Sequence, residues 1–158
     1  MEMQGQGKPQ KTALIYASDL LARQEQSSAR LREKLRRKGY EEEEADKAIA
    51  CLAERGYLDD AAACARQFRF LYEDSRQSVR QICAKLMQRG FPSGIVRECV
   101  PQDMDERETG AAKRSLEIKF RPSADRRKMQ AYLYRRGFDS DIVRAAVDAF
   151  ADGAGEEW

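Results

Sequence analysis

The sequence predicts an all-α protein: three tandem three-helix repeats forming an elongated, curved array. Two observations lead there. Three segments align without a gap, SSARLREKLRRKGY (27–40), SVRQICAKLMQRGF (78–91) and DRRKMQAYLYRRGF (125–138), and their glycines, Gly39, Gly90 and Gly137, lie 51 and 47 residues apart. Apolar residues inside each segment recur at helical spacing, and no stretch sustains the alternation of a strand.

The elements follow in chain order. Residues 1–10 are polar and lack an apolar secretion-signal core, so a flexible N-terminal tail is expected. Repeat one covers 11–56, repeat two 57–104 and repeat three 105–152, with a C-terminal tail over 153–158. Each repeat opens on a helix-like run: TALIYASDLLARQ (12–24), DDAAACARQFRFLYE (59–73) and ETGAAKRSLEIKF (108–120), with LEIKF assigned to helix. The aligned segment is the middle helix. Ser27, Ser78 and Asp125 start it as N-caps, whose side-chain oxygens accept from an orphan backbone N–H. Leu31, Ile82 and Met129, then Leu35, Leu86 and Leu133, share its apolar face. The glycine ends it in the left-handed region, and Tyr40, Phe91 or Phe138 supplies the apolar contact that follows such a cap. The third helix brings Ile49, Val100 and Val147 inward. Ser93 and Ser140 are its expected caps, Glu42 holds that place in repeat one, and Pro101 shortens the helix of repeat two. Gln102 to Arg107 is expected as a thin linker.

Composition excludes more than it suggests. The chain is 42% hydrophobic and 35% charged, with no apolar run long enough to span a membrane. It has no histidine, which removes the commonest general base and metal ligand. Cys51, Cys64, Cys83 and Cys99 form no C-x-x-C pair and are expected as reduced, core-packed thiols in a cytoplasmic protein. No phosphate-binding glycine motif or nucleophile elbow occurs. No enzyme, cofactor or metal site is therefore expected.

The net charge of +2 conceals a pattern. Charge runs +5 over 23–40, −6 over 41–60, +5 over 61–97, −4 over 98–112, +7 over 113–136 and −5 over 137–158. Basic middle helices thus alternate with acidic third helices. Solvated faces with local ion pairs would give each cluster a mundane role. Three clusters in register also suit a shared ridge for phosphates or carboxylates. The candidate contact residues are Arg30, Lys34, Arg37 and Lys38; Arg80, Lys85 and Arg89; and Arg127, Lys128, Arg135 and Arg136.

The string RGYLDD (55–60) looks chemical but reads best as a helix start: Gly56 stops one helix, Tyr57 and Leu58 pack at the junction, Asp59 caps the next and Asp60 enters its first turn. SSARLREKLRRKGY followed by ERGYLDD, and then by modules ending in an apolar-basic-glycine-aromatic string, resembles the RecX family of bacterial recombination regulators. The resemblance covers residues 12–150 and is strongest over 13–60. It departs from the family pattern at Ala63-Cys64, where Phe-Ala is usual, and at Ser78-Val79, where Gly-Pro is usual. The resemblance implies three three-helix repeats and a non-catalytic role in recombination, DNA repair and the SOS response. It implies a monomer that binds the RecA recombinase filament on single-stranded DNA, lies in its groove, and limits its growth and activities, with DNA as a further contact. A stand-alone helical nucleic-acid binder and a helical-repeat scaffold for another protein are the alternatives.

Overall fold

The structure, a computed structural model, describes residues 11–153. Residues 1–10 and 154–158, where the two tails are expected, lie outside the described residues. Nine helices and no strand occur among the described residues: α1 (Ala13–Arg23), α2 (Ser28–Lys38), α3 (Glu42–Glu54), α4 (Asp60–Asp74), α5 (Val79–Gln88), α6 (Ser93–Glu98), α7 (Asp105–Lys119), α8 (Arg126–Arg135) and α9 (Ser140–Gly153).

The middle helices α2, α5 and α8 are built as their sequences dictate. Ser27 Oγ accepts from Arg30 N at 3.1 Å, Ser78 Oγ from Gln81 N at 3.1 Å, and Asp125 Oδ1 from Arg127 N at 2.9 Å. Gly39, Gly90 and Gly137 follow with φ of 112°, 100° and 89°, a region costly for any residue with a Cβ. Tyr40, Phe91 and Phe138 then return an N–H to the carbonyls of Leu35, Leu86 and Leu133, as a glycine-stopped helix end requires.

Three sequence expectations shift. Ser93 and Ser140 are the first helical residues of α6 and α9, not the caps, and the backbone carbonyls of Pro92 and Asp139 open those helices. Glu42 likewise begins α3, with Glu41 in the cap position and making no side-chain cap bond. The acidic first turn Glu42–Glu44 complements the helix N-terminus instead. The expected linker Gln102–Arg107 is half helix, because α7 starts at Asp105. The expected shortening at Pro101 is met, since α6 ends at Glu98 after six residues.

The chain divides into two compact units. One runs as far as Arg66 and takes in Leu86–Val96; the other comprises Gln67–Lys85 and the chain from Arg97 onward. The core of the first gathers Ala13, Ala17, Leu31, Leu35, Tyr40, Ile49, Leu52 and Leu58 from α1, α2, α3 and the turn that follows. The core of the second gathers Leu116, Met129, Leu133, Phe138, Val143, Val147 and Phe150 from α7, α8 and α9. In both, the buried middle-helix leucines are those of the apolar face read from sequence.

One arrangement occurs in each unit. The hydroxyl of Ser27, besides capping α2, donates to the carbonyl of Arg89 at 2.6 Å. The hydroxyl of Ser78, besides capping α5, donates to the carbonyl of Arg136 at 2.6 Å. A carboxylate takes the next amide: Asp60 Oδ1 accepts from Ser28 N at 2.8 Å, and Glu108 accepts from Val79 N at 3.1 and 3.2 Å. Gly90 and Gly137 lie against the two serines, where a Cβ would come within 2.4 Å of Ser27 Oγ and 2.9 Å of Ser78 Oγ.

A candidate partner-contacting surface on the middle helices

Helix geometry decides how the eleven candidate cations are presented. Apolar residues at four-residue spacing, Leu31 and Leu35, Ile82 and Leu86, Met129 and Leu133, turn one face of each middle helix inward, so the intervening Lys and Arg face outward or along the edges. In the first unit, Arg37 and Lys38 are exposed at the end of α2. Arg37 forms a 3.0 Å ion pair with Glu33 one turn earlier, and Lys38 Nζ lies 5.4 Å from the centre of the Tyr16 ring. Lys34 is half-buried. Arg30 is also half-buried, with its Nη2 donating to the Gln88 carbonyl at 2.8 Å. Arg89 offers its carbonyl to Ser27. The structure therefore brings Arg30 and Arg89 together beside Ser27 and leaves Arg37 and Lys38 as the outward cations.

In the second unit, Arg127, Lys128 and Arg135 are exposed on α8, and Lys85 is half-buried on α5. Arg80 is exposed and reaches Asp139 Oδ1 at 3.3 Å. Arg136 is half-buried, its guanidinium 5.1 Å from the Tyr132 ring centre and its Nε buried without a hydrogen-bond partner. Arg80 and Arg136 thus meet at Ser78 as Arg30 and Arg89 meet at Ser27. The exposed pairs are weak, about 0–1 kcal/mol each, and can open to a partner. Aromatic side chains divide: Phe68 is buried, whereas Phe70 and Tyr134 are 64% and 51% exposed. Tyr57, expected to pack at its junction, is 71% exposed, while neighbouring Leu58 is buried.

Sequence reasoning passed over a heavily bonded cation of the second unit. Arg107 donates to the carbonyls of Tyr72 (2.8 Å), Gln77 (2.6 Å), Leu71 (3.2 Å) and Ser75 (3.2 Å), and to Glu108 Oε1 (2.6 Å). Its guanidinium also lies 4.9 Å from the Tyr72 ring centre. It closes the C-terminal end of α4, where a cation meets the last carbonyls of the helix and the negative end of the helix dipole. Backbone carbonyls leave no residue signature, so only the two adjacent charges, Arg107-Glu108, could have marked it.

The four cysteines are free thiols; Cys64 is buried and the other three are half-buried. Burial, then Cys99 and then Glu108, raise the Cys83 thiol above its usual range. Among the described residues no group of three metal-ligating side chains occurs, and no helix is long and apolar enough to cross a membrane.

Comparison with known proteins gives this arrangement a context. Residues 13–52 match the profile of the RecX first three-helix domain, and residues 111–147 that of the RecX third three-helix domain. Regulatory protein RecX of Chlorobaculum tepidum is 32% identical over 141 residues, covering 86% of each chain. That of Thermus thermophilus is 36% identical over 134 residues, or 85% of this chain and 89% of the relative. That of Neisseria meningitidis serogroup B is 31% identical over 154 residues, or 95% and 98%. Two crystal structures share the fold. RecX from Lactobacillus salivarius superposes with a TM-score of 0.75 at 18% identity, over 89% of this chain and 94% of that one. A second regulatory protein RecX superposes with a TM-score of 0.76 at 23% identity, over 86% and 71%. All-helical, capped and stopped at the same places in each repeat, and related to these regulators along most of its own length and theirs, the chain belongs to the RecX family.

Proposed function

We propose that this chain is a non-catalytic regulator that binds the RecA recombinase filament on single-stranded DNA and restrains its growth and activities. The observation that supports this most is its relatedness to proteins named as regulators over most of both chains. The basic middle helices are its proposed contact surface, with Arg37, Lys38, Arg127, Lys128 and Arg135 exposed. Semi-rigid modules that each make a weak contact gain strength through effective concentration, which suits a periodic partner.

The test is a RecA ATPase assay on single-stranded DNA with purified protein added. Inhibition at stoichiometric to modest excess concentrations is expected, and its absence would sink the proposal. The exposed cations also fit a stand-alone nucleic-acid binder. That alternative requires bare single strands to be bound as well as coated ones, with affinity falling steeply as salt rises. A filament regulator prefers the coated strand.

A further inference from the structure

The two serine arrangements differ at one place. Residues 51 apart correspond closely there: Gln24 N donates to Leu20 O and Ser75 N to Leu71 O, both at 3.1 Å, and Ser27 and Ser78 cap the helices that follow. Asp60 and Glu108 correspond as the acids that take the next amide. The residue before Glu108 is Arg107, and the residue before Asp60 is Asp59.

Arg107 fills the end of α4 by donating to four carbonyls and lying over the ring of Tyr72. The corresponding carbonyls at the end of α1 belong to Leu20, Leu21, Gln24 and Gln26. Asp59 is a carboxylate and cannot donate to them; its Oδ1 accepts from Ala62 N at 3.1 Å to cap α4. In place of a guanidinium there is a cavity of about 170 Å³, bordered by Leu21, Glu25, Gln26, Tyr57, Asp59 and Arg66 among others. At about 30 Å³ per water that is room for five or six waters, and so for a guanidinium group.

Three further features suit a cation carrying several donors. Gln26 is only 8% exposed, yet its Oε1 has no hydrogen-bond partner, and its Nε2 reaches Leu20 O only at 3.5 Å. A buried acceptor left unpaired is costly, and an incoming donor removes that cost. Arg66 at the wall is matched by its ion pair with Glu25, so the carboxylate of Asp59 leaves the lining net negative. Tyr57 offers an exposed ring at the cavity; in the second unit the half-buried ring of Tyr72 lies against Arg107.

We propose that this cavity is a guanidinium site, filled by an arginine side chain of a protein partner. Only the partner's identity rests on the filament reading above; the site can be tested without it. The probe is N-acetyl-arginine methylamide, titrated into the whole protein and followed by amide and side-chain NMR. Saturable shifts are expected at Gln26, Tyr57 and Asp59, with at least tenfold weaker binding of the lysine analogue and none of the neutral citrulline analogue. Asp59→Arg supplies the guanidinium from within the chain and should abolish the shifts. Gln26→Leu removes the unpaired acceptor and should weaken them severalfold, which keeps the test open if Asp59→Arg folds poorly. Equal response to arginine and citrulline, or shifts confined to the acidic turn Glu41–Glu44, would overturn the site. On filaments, Asp59→Arg should inhibit RecA at least tenfold less well than the parent. Equal inhibition would overturn the partner assignment. A parent that fails to inhibit at all counts against the filament reading, and the titration then decides the site alone.

Discussion

Ser78→Ala isolates the double duty of the capping serines. The parent hydroxyl is fully buried, accepts from Gln81 N at 3.1 Å and donates to the Arg136 carbonyl at 2.6 Å. Losing the cap costs about 1 kcal/mol, within a range of about 0.5–2. Losing the donor leaves the Arg136 carbonyl short of a partner, which adds about 1 kcal/mol, toward the low end for a buried acceptor because Arg136 is half-buried. The amide of Val79 keeps its bond to Glu108, so the helix start is not stripped bare. The sum is about 2 kcal/mol. Asp125→Ala is the internal control: Asp125 caps α8, and a carboxylate cannot donate onward, so about 1 kcal/mol is expected. Urea unfolding of parent and both variants, at constant slope, measures the difference. A cost for Ser78→Ala no larger than that for Asp125→Ala would refute the claim that the outward hydrogen bond stabilises the fold. Ser78→Asp sharpens the contrast, since it keeps a cap but sets a carboxylate against the Arg136 carbonyl, and should be worse than alanine.

Gly90→Ala should cost more than about 2 kcal/mol, because it combines φ of 100° with a Cβ 2.4 Å from Ser27 Oγ; Gly56→Ala meets no atom within 4 Å and should show the backbone penalty alone, about 1 kcal/mol, when both are melted side by side. Arg107→Met should cost about 3–5 kcal/mol, since it leaves Glu108 buried without its cation and the α4 carbonyls without their donor, and thermal unfolding would show a fall of roughly 6–20 °C.

What the sequence disclosed, and what it withheld, follows from the kind of partner each residue has. Caps, stops and apolar faces are local: Ser27 meets Arg30 N three residues on, and Gly39 needs only its own backbone. Aligning three copies multiplies such local signals, so the helices were legible to within about a turn; LEIKF is too short for periodicity to decide, and α7 takes it as far as Lys119. The misplacements at Ser93 and Ser140 are single-residue shifts, because a serine at the first helical position looks the same on paper as one at the cap. Long-range partners are another matter. That Ser27 and Ser78 also donate to carbonyls 62 and 58 residues away cannot be read from a cap column reading Ser, Ser, Asp. Yet the third member of that column carries the information once the donor role is known: an aspartate caps as well as a serine but has no proton to give. Arg107 was illegible for the same reason, since its partners are carbonyls that every residue owns. Asp59 at the matching place in the first unit then looks like an ordinary cap, and its consequence shows only when the two ends are laid over each other. A carboxylate stands where a guanidinium would close the helix, beside a buried glutamine whose oxygen has no donor. The substitution that makes RGYLDD a plain helix start in sequence is therefore the one that leaves a guanidinium-sized cavity in the fold.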